Sequence, residues 1–299
     1  MTFLATAVLL FLLFAAGLIL LRQAITPRVF PYMKSYAIEV EKGKLVEAEY
    51  LDWEKHEINL DSPFGYRLSG TYFPLPGAQK TVIIVHGFTY TRLGSIKYLP
   101  LFRQRGFNVL IYDQRYHGLS GGPNTTFGYY EKHDLKAMVD WALAQMGPGG
   151  RVGTHGESLG AATCLLHAAC DPRPAFVIAD CGYADLYEQL ALRLRLDYHL
   201  PAFPLLPVAS LLCRLRAGFH FRQVSPLGEV AGLSMPVLFV HGQDDDYIPP
   251  KHSQRLYQAS PPGLGSLYLA PNAGHAEALW NNRVEYDRRV GEFLEQAGI

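Results

Sequence analysis

Ser158 lies between two glycines, at the centre of a G-x-S-x-G pattern. The surrounding stretch, residues 151–170, reads RVGTHGESLGAATCLLHAAC. The pattern alone also occurs in ordinary tight turns. Here a short predicted strand precedes the serine and a predicted helix follows it, which is the context of a nucleophile elbow that exposes the hydroxyl. Gly156 and Gly160 would permit the strained backbone, because a Cβ at either position would collide across the turn.

A nucleophilic serine needs a base, because a free hydroxyl is barely ionised at neutral pH, and the base needs an acid to orient it. The segment HGQDDDYIPP follows a buried strand and offers three adjacent carboxylates, Asp244, Asp245 and Asp246. His275 follows the last predicted strand, in the segment PNAGH. The chain therefore has serine, acid and histidine in the order used by one large group of hydrolases.

Two further histidines, His86 and His241, each follow a strand and precede a glycine. Their spacing matches no known set of metal ligands, so we expect structural hydrogen bonds near the strand ends and no metal site. Cys181 has no elbow around it, which favours a packed loop thiol over a nucleophile.

Strands and helices alternate along most of the chain, which predicts βαβ units and a parallel sheet. A hairpin is predicted first, from residues 56–60 and 66–75 around the turn SPFG. The predicted strands are then 81–87, 107–113, 151–156, 175–180, 236–242 and 266–271, and the predicted helices are 95–104, 129–145, 161–169 and 284–295.

One long interval, residues 183–233, interrupts the alternation. It has no strand signal, contains helical stretches at 186–198 and 208–216, and is rich in Leu, Phe and Pro. Such an insertion beside a strand end is typical of a lid over a pocket. The alternative is a pair of extra helices that pack on the sheet edge.

The N-terminus carries twenty uncharged, mostly apolar residues, 2–21, which are long enough to cross a bilayer as a helix. We predict a transmembrane anchor at residues 1–24 and a juxtamembrane linker at 25–55. A cleaved signal peptide is the alternative, although its basic start and small-residue cleavage site are not clear here. Basic residues after the span favour a cytoplasmic position for the body.

Composition excludes some other functions. Lysine plus arginine equals aspartate plus glutamate, 27 of each, so the chain has no net charge with which to hold nucleic acid. The four cysteines show no C-x-x-C spacing, and we expect Cys164 and Cys170 to be buried free thiols in a helix.

Five ordered motifs resemble those of the α/β-hydrolase superfamily, and the resemblance covers about residues 56–299. They look most like its serine hydrolases of the bacterial lipase, esterase and peptidase type. The motifs are HGF (86–88), DQRYHGLS (113–120), GESLG (156–160), HGQDDDYIP (241–249) and AGH (273–275).

The resemblance implies a Ser158–His275–Asp245 triad. In the family the acid is the fifth residue of its HG-x-x-D segment, which is Asp245 here, with Asp244 and Asp246 as runners-up. Some relatives carry the acid on an earlier strand, which makes Asp180 a second alternative.

The resemblance also implies backbone roles. The N–H groups of Phe88 and Leu159 would form the oxyanion hole. Asp113, Arg115 and His117 match a segment that serves as a structural turn, although Tyr116 stands where a small residue is usual.

The expected fold is thus a mostly parallel sheet with helices on both faces, a small helical lid and an N-terminal membrane helix. The expected activity is hydrolysis of an acyl bond, a carboxylic ester first, through an acyl-enzyme and without a cofactor. A small-molecule or lipid-like acyl substrate would suit an apolar lid beside a membrane. A peptidase, an acyl-protein thioesterase, a haloperoxidase-like or C–C bond hydrolase and a catalytically silent binding protein are the alternatives; the sequence leaves the oligomeric state open.

Overall fold

The described residues, 2–45 and 47–299 of the computed structural model, form an eight-stranded sheet in the order β1-β2-β4-β3-β5-β6-β7-β8. β1 and β2 are an antiparallel hairpin, β2 also pairs antiparallel with β4, and the other neighbours are parallel. The strands are β1 (His56–Asp61), β2 (Arg67–Phe73), β3 (Lys80–Val85), β4 (Phe107–Tyr112), β5 (Arg151–Glu157), β6 (Val177–Asp180), β7 (Val237–Gly242) and β8 (Gly265–Ala270). The predicted α/β-hydrolase fold is confirmed.

Helices cover both faces of the sheet. Side chains of β3 alternate between two cores, with Ile83 and Val85 packed against one and Val82 and Ile84 against the other, as expected for a strand buried on both faces. The helices are α1 (Thr2–Ile25), α2 (Tyr32–Glu41), α3 (Glu47–Asp52), α4 (Leu99–Arg103), α5 (Glu131–Met146), α6 (Leu159–Ala168), α7 (Leu186–Tyr198), α8 (Leu205–Ala217), α9 (Pro226–Glu229), α10 (Lys251–Ala259), α11 (Ala278–Asn281) and α12 (Arg283–Gln296). Helices α5, α6 and α10 pack on the first core, and α4 and α12 on the second.

The chain reverses its direction across the sheet at β3. It runs from β3 outward to β4 and returns to β5 on the other side of β3, with Val85 in register with both Tyr112 and Gly156. The loops that follow the carboxyl ends of β3 and β5 therefore lead in opposite directions from the same end of the sheet. In open α/β sheets this reversal point is where ligands bind.

Several elements differ in detail from the sequence predictions. The helix predicted over 95–104 begins as a 3₁₀ turn, Arg92–Tyr98, before α4. Strand β6 starts at Val177 rather than at residue 175. The prediction that both thiols near α6 are buried is wrong for Cys170, which lies beyond the end of the helix and is exposed, whereas Cys164 is buried.

The first part of the predicted linker, residues 30–39, packs against the loop that follows β3. Phe30 N donates to Thr89 O at 2.9 Å. In α2, Ser35 Oγ lies 2.6 Å from Thr91 Oγ1, and Glu39 accepts from Tyr90. This segment therefore buttresses the edge of the sheet where the strands end.

Helix α1 is long and apolar enough to cross a membrane by length and composition. Its 24 residues extend about 36 Å at the helical rise, against a hydrocarbon core of roughly 30 Å. Its first part is exposed and apolar, whereas Gly17, Leu21 and Ile25 near its end are buried against the body of the protein.

Candidate active site

Ser158 occupies a strained turn between β5 and α6. Its φ of 55° and ψ of −114° lie in a region that L-residues rarely adopt. A Cβ on Gly156 would lie 2.2 Å from the carbonyl of Gly160, and a Cβ on Gly160 would lie 2.0 Å from Val85 O. Both glycines are therefore required for α6 to turn this sharply against β5 and β3, as the sequence predicted.

Ser158, His275 and Asp245 form one hydrogen-bonded chain. His275 Nε2 lies 3.0 Å from Ser158 Oγ, and His275 Nδ1 lies 2.8 Å from Asp245 Oδ2. The three residues follow β5, β8 and β7, so the parallel strands bring their ends to a common edge. The geometry suits proton transfer from a hydroxyl to an imidazole that a carboxylate orients.

Asp245 is held as a carboxylate. Its Oδ1 accepts hydrogen bonds from the backbone N–H groups of Tyr247 and Ile248, at 3.0 and 2.8 Å. Burial by itself raises the pKa of Asp245, but hydrogen bonds from His241 and His275 outweigh burial and hold the pKa below its usual value. An ionised Asp245 can accept only, which directs the Nδ1–H of His275 toward it.

The other candidate acids do not contact His275. Asp180 accepts hydrogen bonds from the hydroxyls of Tyr98 and Tyr286, at 3.2 and 2.9 Å. Burial, with the nearby Glu157 carboxylate, raises the pKa of Asp180 to about 6. Asp244 and Asp246 are exposed. The geometry thus singles out Asp245 among the carboxylates that the sequence left open.

Two backbone N–H groups lie beside Ser158. Phe88 follows β3 in a turn, and a Cβ on Gly87 would lie 3.5 Å from Ser158 Cβ; among the described residues, Phe88 N–H has no protein acceptor. Leu159 is the first residue of α6, and the N–H groups in the first turn of a helix have no acceptor within the helix. Both groups are available to an anion next to Ser158.

Neutral histidines hold the loop that carries Phe88. His117 Nε2 accepts from Thr89 N at 3.1 Å and its Nδ1 bonds to Arg115 O at 2.8 Å. His86 Nε2 likewise accepts from Gln114 N at 2.9 Å. Burial lowers the pKa of His86 to about 4 and that of His117 to about 3. These side chains act as fixed hydrogen-bonding groups, in keeping with the structural turn predicted for residues 113–117.

His241 also makes structural contacts, to Ser253 Oγ and to Ile248 O, both at 2.7 Å.

The side-chain atoms of Cys181, Asp245 and His275 that could bind a metal lie within 4.8 Å of one another, a separation that a metal site would also require. Burial raises the pKa of the Cys181 thiol well above its usual value. Hydrogen bonding between the other two residues accounts for this cluster.

An apolar cavity of about 190 Å³ adjoins Ser158 on one side. Helices α7 and α8, which lie within the predicted lid, supply much of its wall. The cavity also receives residues from the end of α1. Apolar side chains that line it include Leu20, Phe88, Phe127, Leu190, Leu206 and Ile248.

A second cavity adjoins Ser158 and His275, and charged side chains line part of it beside apolar ones such as Phe30 and Ile38. Glu157 accepts from Tyr98 OH at 2.6 Å and pairs with Lys97 at 2.5 Å. Burial alone would raise the pKa of Glu157, but Lys97 outweighs it and lowers that pKa. Glu39, Lys42 and Lys44 contribute from the N-terminal segment. No pattern in the sequence indicated this second cavity, because its charges come from distant segments.

Tyr247 connects the lid to the histidine. Its ring lies 5.0 Å from the His275 ring, between centroids, and the Arg193 guanidinium of α7 lies 4.6 Å from the Tyr247 centroid. Arg193 also donates to Asp246 O at 3.2 Å. The position of α7 is therefore coupled to the loop that carries Asp245, a contact that no local sequence signal indicated.

Comparison with known proteins agrees with this architecture. A model of the family described as X-Pro dipeptidyl-peptidase (S15 family) matches residues 31–195, more than half of the chain. Protein YqkD of Bacillus subtilis is 43% identical over 259 residues, covering 86% of this chain and 85% of YqkD. Membrane protein YNL320W of Saccharomyces cerevisiae is 26% identical and covers 69% of each chain.

The structure of the esterase Pf2001 of Pyrococcus furiosus superposes with a TM-score of 0.68 and 26% identity. The match covers 84% of this chain and 96% of the esterase. The protein is therefore a hydrolase of the α/β fold, and it belongs to the X-Pro dipeptidyl-peptidase (S15) family of the α/β-hydrolase superfamily.

Proposed function

We propose that the protein is a membrane-anchored serine hydrolase that cleaves the ester of an apolar carboxylic acid. The observation that carries the proposal is the hydrogen-bonded chain from Ser158 through His275 to Asp245, which begins at a strained elbow and borders an apolar cavity. The similarity to an esterase over most of both chains supports the same chemistry.

In the first half-reaction, His275 Nε2 takes the proton of Ser158 Oγ while Oγ attacks the acyl carbonyl carbon. The carbonyl oxygen becomes an oxyanion, which accepts hydrogen bonds from the N–H groups of Phe88 and Leu159. Asp245 stabilises the imidazolium and fixes its orientation. When the tetrahedral intermediate collapses, the alcohol oxygen leaves and takes the proton from His275 Nε2.

Water completes the cycle. His275 takes a proton from the water, whose oxygen attacks the acyl-enzyme carbonyl, and a second tetrahedral intermediate forms against the same two N–H groups. Its collapse returns the proton to Ser158 Oγ and releases the carboxylic acid. No step requires a cofactor.

The two cavities beside Ser158 suggest how the ester is oriented. Apolar side chains on one side suit the acyl chain, and the charged groups on the other suit a polar alcohol. An apolar acyl chain placed against Glu39, Lys97 and Glu157 would remove water from these charges, which disfavours the reverse arrangement. An ester with an apolar acid and a polar alcohol therefore matches the site better than the reverse arrangement.

A peptidase is the second candidate, because the matching family is described by a dipeptidyl-peptidase activity. Such an enzyme must bind a free amino terminus, for which a carboxylate is the natural partner. Among the described residues, two of the acidic groups that line the cavities form ion pairs, Asp197 with Arg193 and Glu157 with Lys97, and Glu39 accepts a hydrogen bond from Tyr90. The apolar cavity favours the ester, and an acyl-protein thioester would use the same chemistry.

We further propose that α1 stays attached and anchors the protein in a membrane. A cleaved signal peptide would remove Leu21 and Ile25, which are buried against the body. The relative YNL320W is described as a membrane protein, which supports an anchor. Protease accessibility in sealed vesicles would test the cytoplasmic orientation expected from the flanking charges.

The proposal is tested on full-length protein in detergent with a p-nitrophenyl ester, a thioester and an aminoacyl-prolyl amide. We expect fluorophosphonate labelling at Ser158, and a loss of ester hydrolysis of about 10⁴-fold or more in Ser158→Ala. Ser266→Ala is the matched control, because Ser266 lies in the edge strand β8 and makes no side-chain hydrogen bond within the described part of the chain. Full activity in Ser158→Ala would overturn the mechanism. Preference for the prolyl amide would make the protein a peptidase, and an inert wild type would favour a binding protein.

A further inference from the structure

We infer that the last two turns of α1 are part of the substrate site and select for longer acyl chains. The inference rests on the proposed esterase function and adds a binding role to a helix that otherwise serves only as an anchor. Its basis is that Leu20, Gln23 and Ala24 line the same apolar cavity as Ser158.

The end of α1 is packed too closely against α8 to be a loose tether. A Cβ on Gly17 would lie 2.7 Å from Val208 Cγ1 and 3.2 Å from Leu212 Cδ1, so the two helices are in direct contact there. Leu21 and Ile25 are 5% and 3% exposed. Close packing of this kind fixes the position of a helix face relative to its neighbour.

Hydrogen bonds hold the same turn from two other directions. Tyr198 OH, at the end of α7, donates to Gln23 Oε1 at 3.0 Å. Ile25 O accepts from Thr125 N at 2.9 Å, next to the segment that brings Phe127 into the cavity. The α1 wall, defined as Leu20, Gln23 and Ala24, therefore joins α7 and α8 in closing the cavity.

The α1 wall lies on the lid side, whereas Ser158 lies at the edge of the sheet. An acetyl group bound to Ser158 Oγ stays near Phe88 and Leu159. A longer chain has to extend under the lid, where α7, α8 and α1 supply the apolar contacts. A larger side chain in the α1 wall should therefore slow the hydrolysis of esters with long acyl chains and leave esters with short acyl chains unaffected.

Two neighbouring residues of α1 provide a matched pair of variants. Leu20 is half-buried in the cavity wall, whereas Ile19 is 59% exposed on the outer face of the same helix turn. Leu20→Trp places extra volume in the cavity, and Ile19→Trp places the same side chain outside it. Both variants keep α1 apolar, so we expect the two to be anchored in a membrane to the same extent.

The experiment compares kcat/KM for p-nitrophenyl acetate and p-nitrophenyl octanoate in the full-length protein. For Leu20→Trp we expect a loss of about tenfold or more on the octanoate and a change within about twofold on the acetate, because overfilling a packed site is costly. For Ile19→Trp we expect neither ester to change. Labelling by a small fluorophosphonate should be unchanged in both variants, which verifies an intact Ser158.

Two results would overturn the inference while leaving the esterase proposal in place. One is an octanoate rate in Leu20→Trp equal to that of the wild type. The other is an equal loss on both esters, or an equal loss in Ile19→Trp, which would indicate general damage. Failure of the esterase proposal is recognised separately, by ester hydrolysis that survives Ser158→Ala.

Discussion

Lys97 Nζ lies 2.5 Å from Glu157 Oε2, one residue before the elbow serine. Both side chains are largely buried, at 7% and 15% exposed. Burial by itself lowers the pKa of Lys97, but the Glu157 carboxylate outweighs burial and raises that pKa above its usual value. The ion pair therefore neutralises a buried carboxylate that directly precedes Ser158.

Lys97→Met is expected to lower the free energy of unfolding by about 3–5 kcal/mol, because it leaves the Glu157 carboxylate buried without its cation. Lys97→Met with Glu157→Gln should recover most of that loss, since no unpaired charge remains. Urea unfolding followed by tryptophan fluorescence in detergent measures both. A double variant as unstable as the single one would show that the pair contributes through packing instead.

Asp245→Asn is expected to reduce kcat/KM on the preferred ester by about 10⁴-fold, because the amide favours the wrong tautomer of His275. Asp180→Asn should cost far less, since Asp180 contacts Tyr98 and Tyr286 and not His275. Asp244→Asn, at an exposed neighbour of Asp245, is the control and should behave as wild type. The assignment would be wrong if Asp180→Asn abolished activity and Asp245→Asn retained it.

Asp134 is expected to contribute stability that is lost as the pH rises from about 4 to 7. Asp134 accepts hydrogen bonds from Ser62 Oγ and Tyr66 OH, at 2.6 and 2.5 Å, and burial raises its pKa to about 7. The folded protein then holds a proton that the unfolded chain, with an aspartate pKa of about 3.9, has already lost. The stabilisation is complete below the unfolded pKa and is lost as the pH rises through the folded one, by at most about 1.4 kcal/mol per pH unit.

Asp134→Asn should remove this contribution, so the stability of the variant relative to the wild type should increase between pH 4.5 and 7.5, as measured by thermal unfolding of both proteins across that range. Asp140→Asn, on the same helix, is the control. Burial raises the pKa of Asp140, but hydrogen bonds from Lys136 and Arg173 outweigh burial and lower it, so its titration lies below this range. An unchanged slope in Asp134→Asn would contradict the assignment.

Local sequence patterns were sufficient to predict the alternating α/β fold and the nucleophile elbow at Ser158. Buried parallel strands appear as continuous apolar runs, and the two glycines around Ser158 are required by contacts within the same strand–turn–helix unit and its neighbour β3. Ser158, His275 and a set of three adjacent carboxylates also followed from the order of the strand ends. The choice of Asp245 needed the family resemblance, because three adjacent carboxylates look alike in a sequence.

The chain by itself determined the alternation of strands and helices, the apolar N-terminal helix and the residue types able to act on an acyl bond, because these depend on neighbours within a turn or a strand. Only the tertiary structure decided that the end of α1 enters the cavity beside Ser158, and that Lys97 neutralises Glu157. It also decided that residues 30–39 brace the loop that carries Phe88. These contacts join segments far apart in the chain, and their partners are specified by three-dimensional packing, which leaves no periodic signal along the sequence.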